Sequence, residues 1–367
     1  MNRRGVSLLV VLLTLVFLGG VSGLLLTVAR LRWSSGVTAI RRARAEISAA
    51  GESERILADW DPLLAESLAV GQPAGVVGGG LRSGVSSIDT LLRMGDGLFF
   101  LRVVVELRDQ GGGLLAREGV ARLVELALPG IPDSQAVAST GPIAVLGEPV
   151  IDGYDHLPSG WDRVCPLLLG LPAPGVRSAL PSPVANGCAS GSCLSGVPPT
   201  VQDSTLGAGF PDRLGSVTLS QLESLSDHVL GGTVSIQSQL DGAGQCDRTR
   251  PDNWGDPSGT SAPCARYFPL IVARDGARVE GGSGQGVLIG QGRLELTGDL
   301  VFHGVVLARG PLTVGDRARV VGTVLAADSV QVLDRATIQR STCAVRRAVA
   351  GAGRPKSRVQ RGWVRWP

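Results

Sequence analysis

The sequence is poor in the side chains that most enzymes use for chemistry. Of 367 residues only three are histidines (His156, His228, His303), and aromatic residues make up 4% of the chain. The sequence contains no glycine-rich phosphate loop with its lysine, no HExxH motif and no nucleophile elbow. We therefore expect a protein that is not an enzyme and that needs no cofactor and no metal.

An excess of charge of one sign is also lacking. The chain has 35 basic and 32 acidic residues, for a net charge of +3, and Lys356 is its only lysine. A protein that binds nucleic acid over its whole surface would be much more basic, so nucleic acid is disfavoured as a partner. The basic end of the chain carries Trp363 and Trp366. We expect it to dock on the fold as a terminal strand.

Glycine and proline, by contrast, are abundant, at 52 and 22 residues. Such a content excludes an all-helical protein and indicates many turns. The six cysteines all lie at or after Cys165, far beyond the N-terminal apolar segment, and their even number suits disulfides in an oxidising compartment. Spacing favours Cys188–Cys193 and Cys246–Cys264, which leaves Cys165 and Cys343, although six cysteines allow fifteen connectivities.

An uncharged apolar segment runs from Gly5 to Ala29, with Arg4 before it and Arg30 after it. About 20 apolar residues span a bilayer as a helix, so these 25 residues predict a transmembrane helix that is surrounded by lipid. A secretory signal peptide is the alternative, but its apolar core is usually only about 7–15 residues long.

The distribution of charged residues alone does not decide the orientation of this helix in the membrane. Arg3 and Arg4 lie on one side and several arginines on the other, which slightly favours a cytoplasmic C-terminal part. The six cysteines favour the reverse, and we give them more weight. We therefore expect a single pass through the cytoplasmic (inner) membrane, with the C-terminal part in the periplasm or outside the cell.

After Arg30 the spacing of apolar residues stays helical to about residue 60, because Val37, Ile40, Ala43, Ile47 and later apolar positions recur every three or four residues. The motif Arg4-Gly5-Val6 before an apolar run, followed by an arginine-rich extension ending in Ala49-Ala50-Gly51-Glu52, resembles the N-terminal domain of PilX-type type IV pilus assembly proteins. It also resembles prepilin leaders. The resemblance implies cleavage between Gly5 and Val6. Pilins usually have Glu at the fifth mature position, where this chain has Val10, which implies a low-copy component.

The middle of the chain predicts loops and one hairpin. Residues 70–97 are rich in glycine and serine and are expected to form a loop. Strict alternation in 98–108 and in 120–128, separated by a glycine turn, predicts two antiparallel strands. A capping box at Thr218 predicts a helix from Thr218 to Leu230.

Three blocks of 18 residues begin at Gly286, Gly304 and Gly322 and align without a gap. Pairs of apolar residues at i and i+2 recur every six residues, which predicts a short C-terminal β-solenoid with one turn per block. Val306, Leu312, Val314, Val320, Val324 and Val332 are expected inside. Ile289, Leu307 and Leu325 would point outward, so we expect the hairpin or the cysteine-rich segment to cover them.

The predicted fold class is therefore mainly β with one long N-terminal helix. A transmembrane helix continues into an amphipathic helix, an antiparallel hairpin follows, and the short solenoid ends the chain. The expected divisions are the helical part at 1–62, the loop and hairpin at 63–130, the disulfide-linked region at 131–267, the solenoid at 268–342, and a C-terminal cap with a basic tail at 343–367.

The function that these features favour is a membrane-anchored envelope protein that is a minor pilin-like or accessory component of type IV pilus assembly. Its expected partners are membrane lipid, through residues 5–29, and other pilus or envelope assembly proteins. The alternatives are a surface adhesin or carbohydrate-binding β-solenoid protein and, less favoured, a polysaccharide-cleaving β-helix enzyme that uses a carboxylate ladder at Asp316 and Asp334.

Overall fold

A computed structural model provides the structure of the chain. It describes residues 3–58, 60, 68–76, 84–95, 97–127, 129–165, 170–181, 184–188, 193–207, 209–215, 217–259, 261–357 and 363–366. The described residues form two compact units. The first contains the described residues within 1–60, 68–125 and 357–367, and the second contains those within 126–356.

Three helices are present in the described residues: α1 (Arg3–Ala58), α2 (Leu219–Ser224) and α3 (Thr342–Ala352). The long α1 contains no proline, which is why nothing interrupts its backbone hydrogen bonds. Thr218 caps α2 as expected, but α2 ends at Ser224, and the residues expected to complete it enter a strand instead.

Strands account for most of the remaining regular structure. In chain order they are β1 (Pro73–Val76), β2 (Val85–Gly95), β3 (Leu98–Arg108), β4 (Leu114–Ala127), β5 (Val137–Ser139), β6 (Ile143–Gly147), β7 (Val150–Asp152), β8 (Val176–Ser178), β9 (Val184–Cys188), β10 (Leu194–Ser195), β11 (Thr200–Gln202), β12 (Arg213–Leu214), β13 (Val217–Thr218), β14 (His228–Leu230), β15 (Thr233–Ile236), β16 (Leu270–Ala273), β17 (Ala277–Gly290), β18 (Leu294–Thr297), β19 (Val301–Ala308), β20 (Leu312–Val314), β21 (Arg319–Ala326), β22 (Val330–Asp334), β23 (Thr337–Arg340), β24 (Arg354–Ser357) and β25 (Trp363–Trp366).

The first unit contains α1 and an antiparallel sheet. Strands β1 to β4 pair in chain order, and β25 pairs antiparallel with β4. The terminal strand predicted from Trp363 and Trp366 is therefore present. Strands β1 and β2 lie in the stretch that we expected to be a loop. The glycines and serines there concealed a period of two, because Asp89 and Leu91 are buried while their neighbours are not.

The second unit contains a parallel sheet of 17 strands, β5 to β11 and β14 to β23. Within the repeated region, each residue pairs with the one 18 positions later, as Leu296 pairs with Val314 and Val314 with Val332. The repetition stacks side chains in columns. One fully buried column consists of Val279, Leu296, Val314, Val332 and Val145.

The predicted fold class is wrong for both β regions. The parallel sheet is not short and not confined to residues 268–342, because β5 to β11 from the proline- and cysteine-rich segment extend it beyond β21, β22 and β23. The antiparallel region is a sheet with four consecutive strands instead of a hairpin. The added parallel strands escape a search for repeats because long loops separate them. Val137 pairs with Val176 and Ile143 with Val184, more than two repeat lengths apart.

One apolar wall of the parallel sheet is covered, as the sequence requires. Val287, Ile289, Val305, Leu307 and Leu325 are all completely buried. They pack with side chains of the cysteine-rich segment, as expected, and with α3, which we did not anticipate. The contact is close, since a Cβ on Gly304 would lie 2.9 Å from the Cβ of Ala348 in α3.

A disulfide-linked loop closes one end of the sheet. Trp254 lies in this loop between Cys246 and Cys264 and is completely buried within the sheet's interior cluster. Its ring meets the ring of Phe302 edge to face, with centroids 5.9 Å apart. The side chain therefore shields an apolar layer of the sheet's interior from water.

Candidate membrane and assembly interface

The N-terminal half of α1 is apolar and exposed. In the described side chains from Val10 to Arg32, every residue is exposed, and Leu26 has 72% of its surface accessible. By length and composition α1 can cross a membrane, a test that a signal sequence near the N-terminus also passes. An apolar surface of this size in water is unfavourable, so lipid or apolar protein must cover it.

The C-terminal half of α1 packs on the antiparallel sheet, mainly on β3. The docked face consists of Ala45, Ala49, Glu52, Ser53 and Ile56, all buried. Small residues at 45, 49 and 53 let the helix lie close to the strands. The helix thus has one end held by a folded unit and one end free of it.

Polar contacts fix this half of the helix. Within α1, Arg55 holds the buried carboxylate of Glu52 through two hydrogen bonds, of 3.0 and 2.5 Å. Arg122 of β4 donates to Glu54 at 2.6 Å. The Arg55–Glu52 pair neutralises a buried charge within the helix. The Arg122–Glu54 contact joins the helix to the sheet and so helps to fix its orientation.

Asp89 of β2 lies at the same interface. It is 6% exposed, and its Oδ2 accepts a hydrogen bond of 2.9 Å from Ser87, while its Oδ1 has no hydrogen-bond partner among the described residues. Burial raises the pKa of this carboxyl above its ordinary value. The hydrogen bond from Ser87 opposes this effect in part, the nearby Glu52 raises the pKa further, and Arg55 lowers it slightly. Asp89 is therefore a destabilising charge in the folded unit at neutral pH.

The residues of the expected leader cleavage lie at the start of α1. The backbone of Gly5 and Val6 is helical, and their side chains lie outside the described part. Val10 is 56% exposed and its carbonyl accepts from Thr14 at 2.7 Å, an ordinary contact within a helix. Cleavage between Gly5 and Val6 stays a prediction.

Two disulfides are present among the described cysteines. Cys246 bonds to Cys264, and Cys165 bonds to Cys343 at the start of α3. Both agree with the favoured pairing. Cys193 is also disulfide-bonded, and Cys188 lies in β9 with its side chain outside the described part. The Cys165 bond fixes the helix that covers the apolar wall.

The aspartates of the proposed ladder lie at corners of the parallel sheet. Asp316 and Asp334 occupy left-handed corners, with φ of 57° and 58°. The Oδ2 of Asp316 accepts from the backbone of Gly298 at 3.2 Å. Aspartate tolerates this conformation because its short side chain forms local hydrogen bonds. Glu280 pairs with Thr297 and is out of register with both aspartates.

The histidines are also held in structural contacts. Nε2 of His156 contacts Oδ2 of Asp152 at 2.5 Å, and Ser195 donates to the other carboxylate oxygen, so the aspartate and not the imidazole binds the hydroxyl. His228 contacts the Tyr267 hydroxyl at 2.8 Å, and burial lowers its pKa. Burial lowers the pKa of His303 to about 4, with a smaller effect of Arg319.

Sequence reasoning missed a second apolar face on α1. We had assigned Ile40, Ala43, Ile47 and Ile56 to one amphipathic pattern. The structure separates them, since Ile56 is buried on the sheet whereas Ile40 and Ile47 are 58% and 72% exposed on the opposite side. Trp33, Ile40 and Ile47 recur every seven residues, but Ala49 and Ile56 on the docked face have the same spacing, so the sequence shows two apolar stripes without showing which one is covered.

Comparison with known proteins assigns the chain to no family. No protein-family model matches the chain, and no curated protein matches it, so the resemblance to PilX-type proteins is unsupported. Among solved structures, the chain is similar to the competence-associated pilin ComZ from Thermus thermophilus at 12% identity and a TM-score of 0.24. The match covers 90% of this chain and 97% of that one. A likeness this weak carries no argument about fold or function.

Proposed function

We propose that the chain is a membrane-anchored envelope protein that acts as a minor pilin-like or accessory component of type IV pilus assembly. The observation that carries the proposal is the division of α1. The described side chains of its apolar half are exposed, while its other half is held on an antiparallel sheet by buried small residues and by ion pairs such as Arg122–Glu54. This arrangement suits a subunit that stays in the membrane by its helix and presents its folded units outside it.

In this proposal the protein acts by assembly and not by catalysis. The disulfides favour an oxidising compartment, which is the periplasm or the cell exterior for a protein of the inner membrane. Among the described aromatic side chains of the second unit, Trp161, Trp254, Tyr267, Phe268 and Phe302 are buried, whereas Tyr154 is exposed. A carbohydrate-binding surface would need several such rings exposed together, so the burial of these five disfavours the adhesin alternative.

A first experiment tests anchorage. Membranes from cells that produce the full chain would be extracted with alkaline carbonate, and a reporter fused after Pro367 would give the side on which the C-terminus lies. We expect the chain in the carbonate-resistant pellet with an extracytoplasmic C-terminus. Release into the supernatant, or a cytoplasmic C-terminus, would reject the proposal.

A second experiment tests the pilus role. Purified pili and membranes would be compared by quantitative mass spectrometry, with N-terminal peptides showing whether the mature chain begins at Val6. We expect traces in pili relative to the major subunit, because Val10 replaces the acidic residue that pilins usually carry. Near-stoichiometric amounts along pili would contradict the low-copy role. A Gly5→Leu variant is the control that should abolish any cleavage.

A further inference from the structure

The outer face of α1 beyond the predicted membrane segment carries a regular apolar stripe. We call it the outer stripe, and it consists of Trp33, Gly36, Ile40, Ala43, Ile47 and Ala50. Its members are alternately three and four residues apart, the spacing of helices that pack along one another as coiled coils. Trp33, Ile40 and Ile47 are 77%, 58% and 72% exposed. None of the six side chains is charged.

The outer stripe lies opposite the docked face. Ala45, Ala49 and Ile56 are buried on the sheet, whereas Ile47, between them in sequence, is exposed. At about 100° per residue, Ile40 and Ile47 point roughly 160° away from the docked face. The sheet of the same chain therefore leaves the stripe uncovered.

Lipid cannot cover most of the stripe. The apolar segment ends at Arg30, and Ile40 lies ten residues later, or about 15 Å along an upright helix. The headgroup layer is only about 5–8 Å thick on each side, so Ile40 and Ile47 lie beyond it. Arg41 and Arg44 on the same turns are exposed as well. The stripe must face a protein.

Large and small residues alternate along the stripe, and this alternation restricts the partner. Two copies paired in parallel and in register would bring Gly36 to Gly36 and Ala43 to Ala43, leaving hollow layers between crowded layers at Trp33. A shift of half a heptad instead brings Trp33 over Gly36 of the other copy and Ile40 over Ala43. Gly36 has room for this, because nothing lies within 4 Å of where its Cβ would be. Filled layers are favoured over hollow ones.

The membrane segment permits this shift. Half a heptad is about 5 Å along the helix. The 25 uncharged residues from Gly5 to Ala29 span about 37 Å, whereas the hydrocarbon core is about 30 Å thick. The surplus of about 7 Å lets one copy slide by 5 Å without drawing Arg4 or Arg30 into hydrocarbon.

We propose that the outer stripe is the contact between two copies of this chain, paired in parallel in the same membrane and displaced by half a heptad. In such a pair each outer stripe packs on the outer stripe of the other copy. The assembly therefore stops at two chains. The inference rests on the membrane anchorage proposed above.

Cysteine cross-linking in membranes tests the register. Two differently tagged full chains would be produced together, one with Ile40→Cys and the other with Ala43→Cys. The described native cysteines are all oxidised, so the added thiols are the reactive ones. After mild oxidation we expect a 40-to-43 heterodimer several-fold more abundant than the 40-to-40 homodimer. Thr38→Cys, exposed on the other side of the helix, is the control and should give a trace.

Each other outcome overturns the proposal. A dominant 40-to-40 product would show pairing in register, and cross-links to a different protein would show a different partner. Equal yields with Thr38→Cys would show random collision. If the chain is in the membrane but no cross-link forms, the pair is refuted and the anchorage stands; if the chain is not in the membrane, the anchorage itself has failed.

A second variant distinguishes the registers by packing. Ala43→Leu would fill a hollow layer in an in-register pair, but it would clash with Ile40 and Ile47 of the other copy in the displaced pair. The substitution is at an exposed position, so it leaves the fold of the chain intact. Measured by a 36-to-40 cross-link, we expect Ala43→Leu to reduce pairing several-fold. An increase would refute the displacement.

Discussion

The register of the parallel sheet can be tested by placing a carboxylate on either side of one strand. Val314 and Thr313 are neighbours in β20. Val314 is completely buried between Leu296 and Val332, whereas Thr313 lies on the other side and is partly exposed between Glu295 and Gln331. Val314→Asp and Thr313→Asp therefore change the same short strand with opposite consequences.

The expected magnitudes differ by several kcal/mol. Val314→Asp removes a buried valine, worth about 1.5–3 kcal/mol, and leaves an unpaired carboxylate whose burial costs several kcal/mol more. We expect a loss of about 4–6 kcal/mol, much of the 5–15 kcal/mol that usually stabilises a domain. Thr313→Asp should change stability by less than about 0.5 kcal/mol, as surface substitutions do.

The assay is urea unfolding of the full chain in detergent, with hydrogen exchange of peptides from β18 to β22 as a local readout. The effect of Val314→Asp should also depend on pH. Burial would raise the pKa of the new carboxyl above its unfolded value of about 3.9, so the native state binds the extra proton and the penalty shrinks as the pH falls. Equal losses for the two variants would refute the register.

The remaining predictions concern other parts of the molecule. Trp254→Ala should cost about 3–5 kcal/mol because it empties the end of the parallel sheet, and thermal unfolding against the half-exposed control Val229→Ala would show it. Alkylation of denatured, unreduced chain should find only traces of free thiol, and six labelled cysteines would contradict both the disulfides and the proposed compartment. Replacing Cys165 and Cys343 by serine should cost about 2–5 kcal/mol, since their bond joins segments 178 residues apart, and hydrogen exchange in α3 should increase. Asp89→Asn should stabilise the first unit at neutral pH, because the pKa of Asp89 is raised in the folded state; the difference should shrink as the pH falls towards the ordinary aspartate range, and urea midpoints at several pH values would contradict this if the difference grew instead.

The sequence by itself determined the features that depend on local repetition. The apolar run before Arg30 made a long uninterrupted helix predictable, and the blocks at Gly286, Gly304 and Gly322 predicted which valines and leucines are buried. Residues 98–108 were placed as a strand with the bounds that β3 has. In each case neighbouring residues repeat at the period of the element itself, so no distant contact is needed.

Only the tertiary structure decided which segments join across long gaps and which helix face is covered. β5 to β11 extend the parallel sheet although loops interrupt their spacing, because a strand edge accepts any short apolar segment that the chain can bring to it. The two faces of α1 are both apolar in sequence, and burial on β3 alone distinguishes Ile56 from Ile47. The outer stripe, the candidate site of assembly, is defined by what the sheet leaves uncovered, and such a remainder appears only after packing.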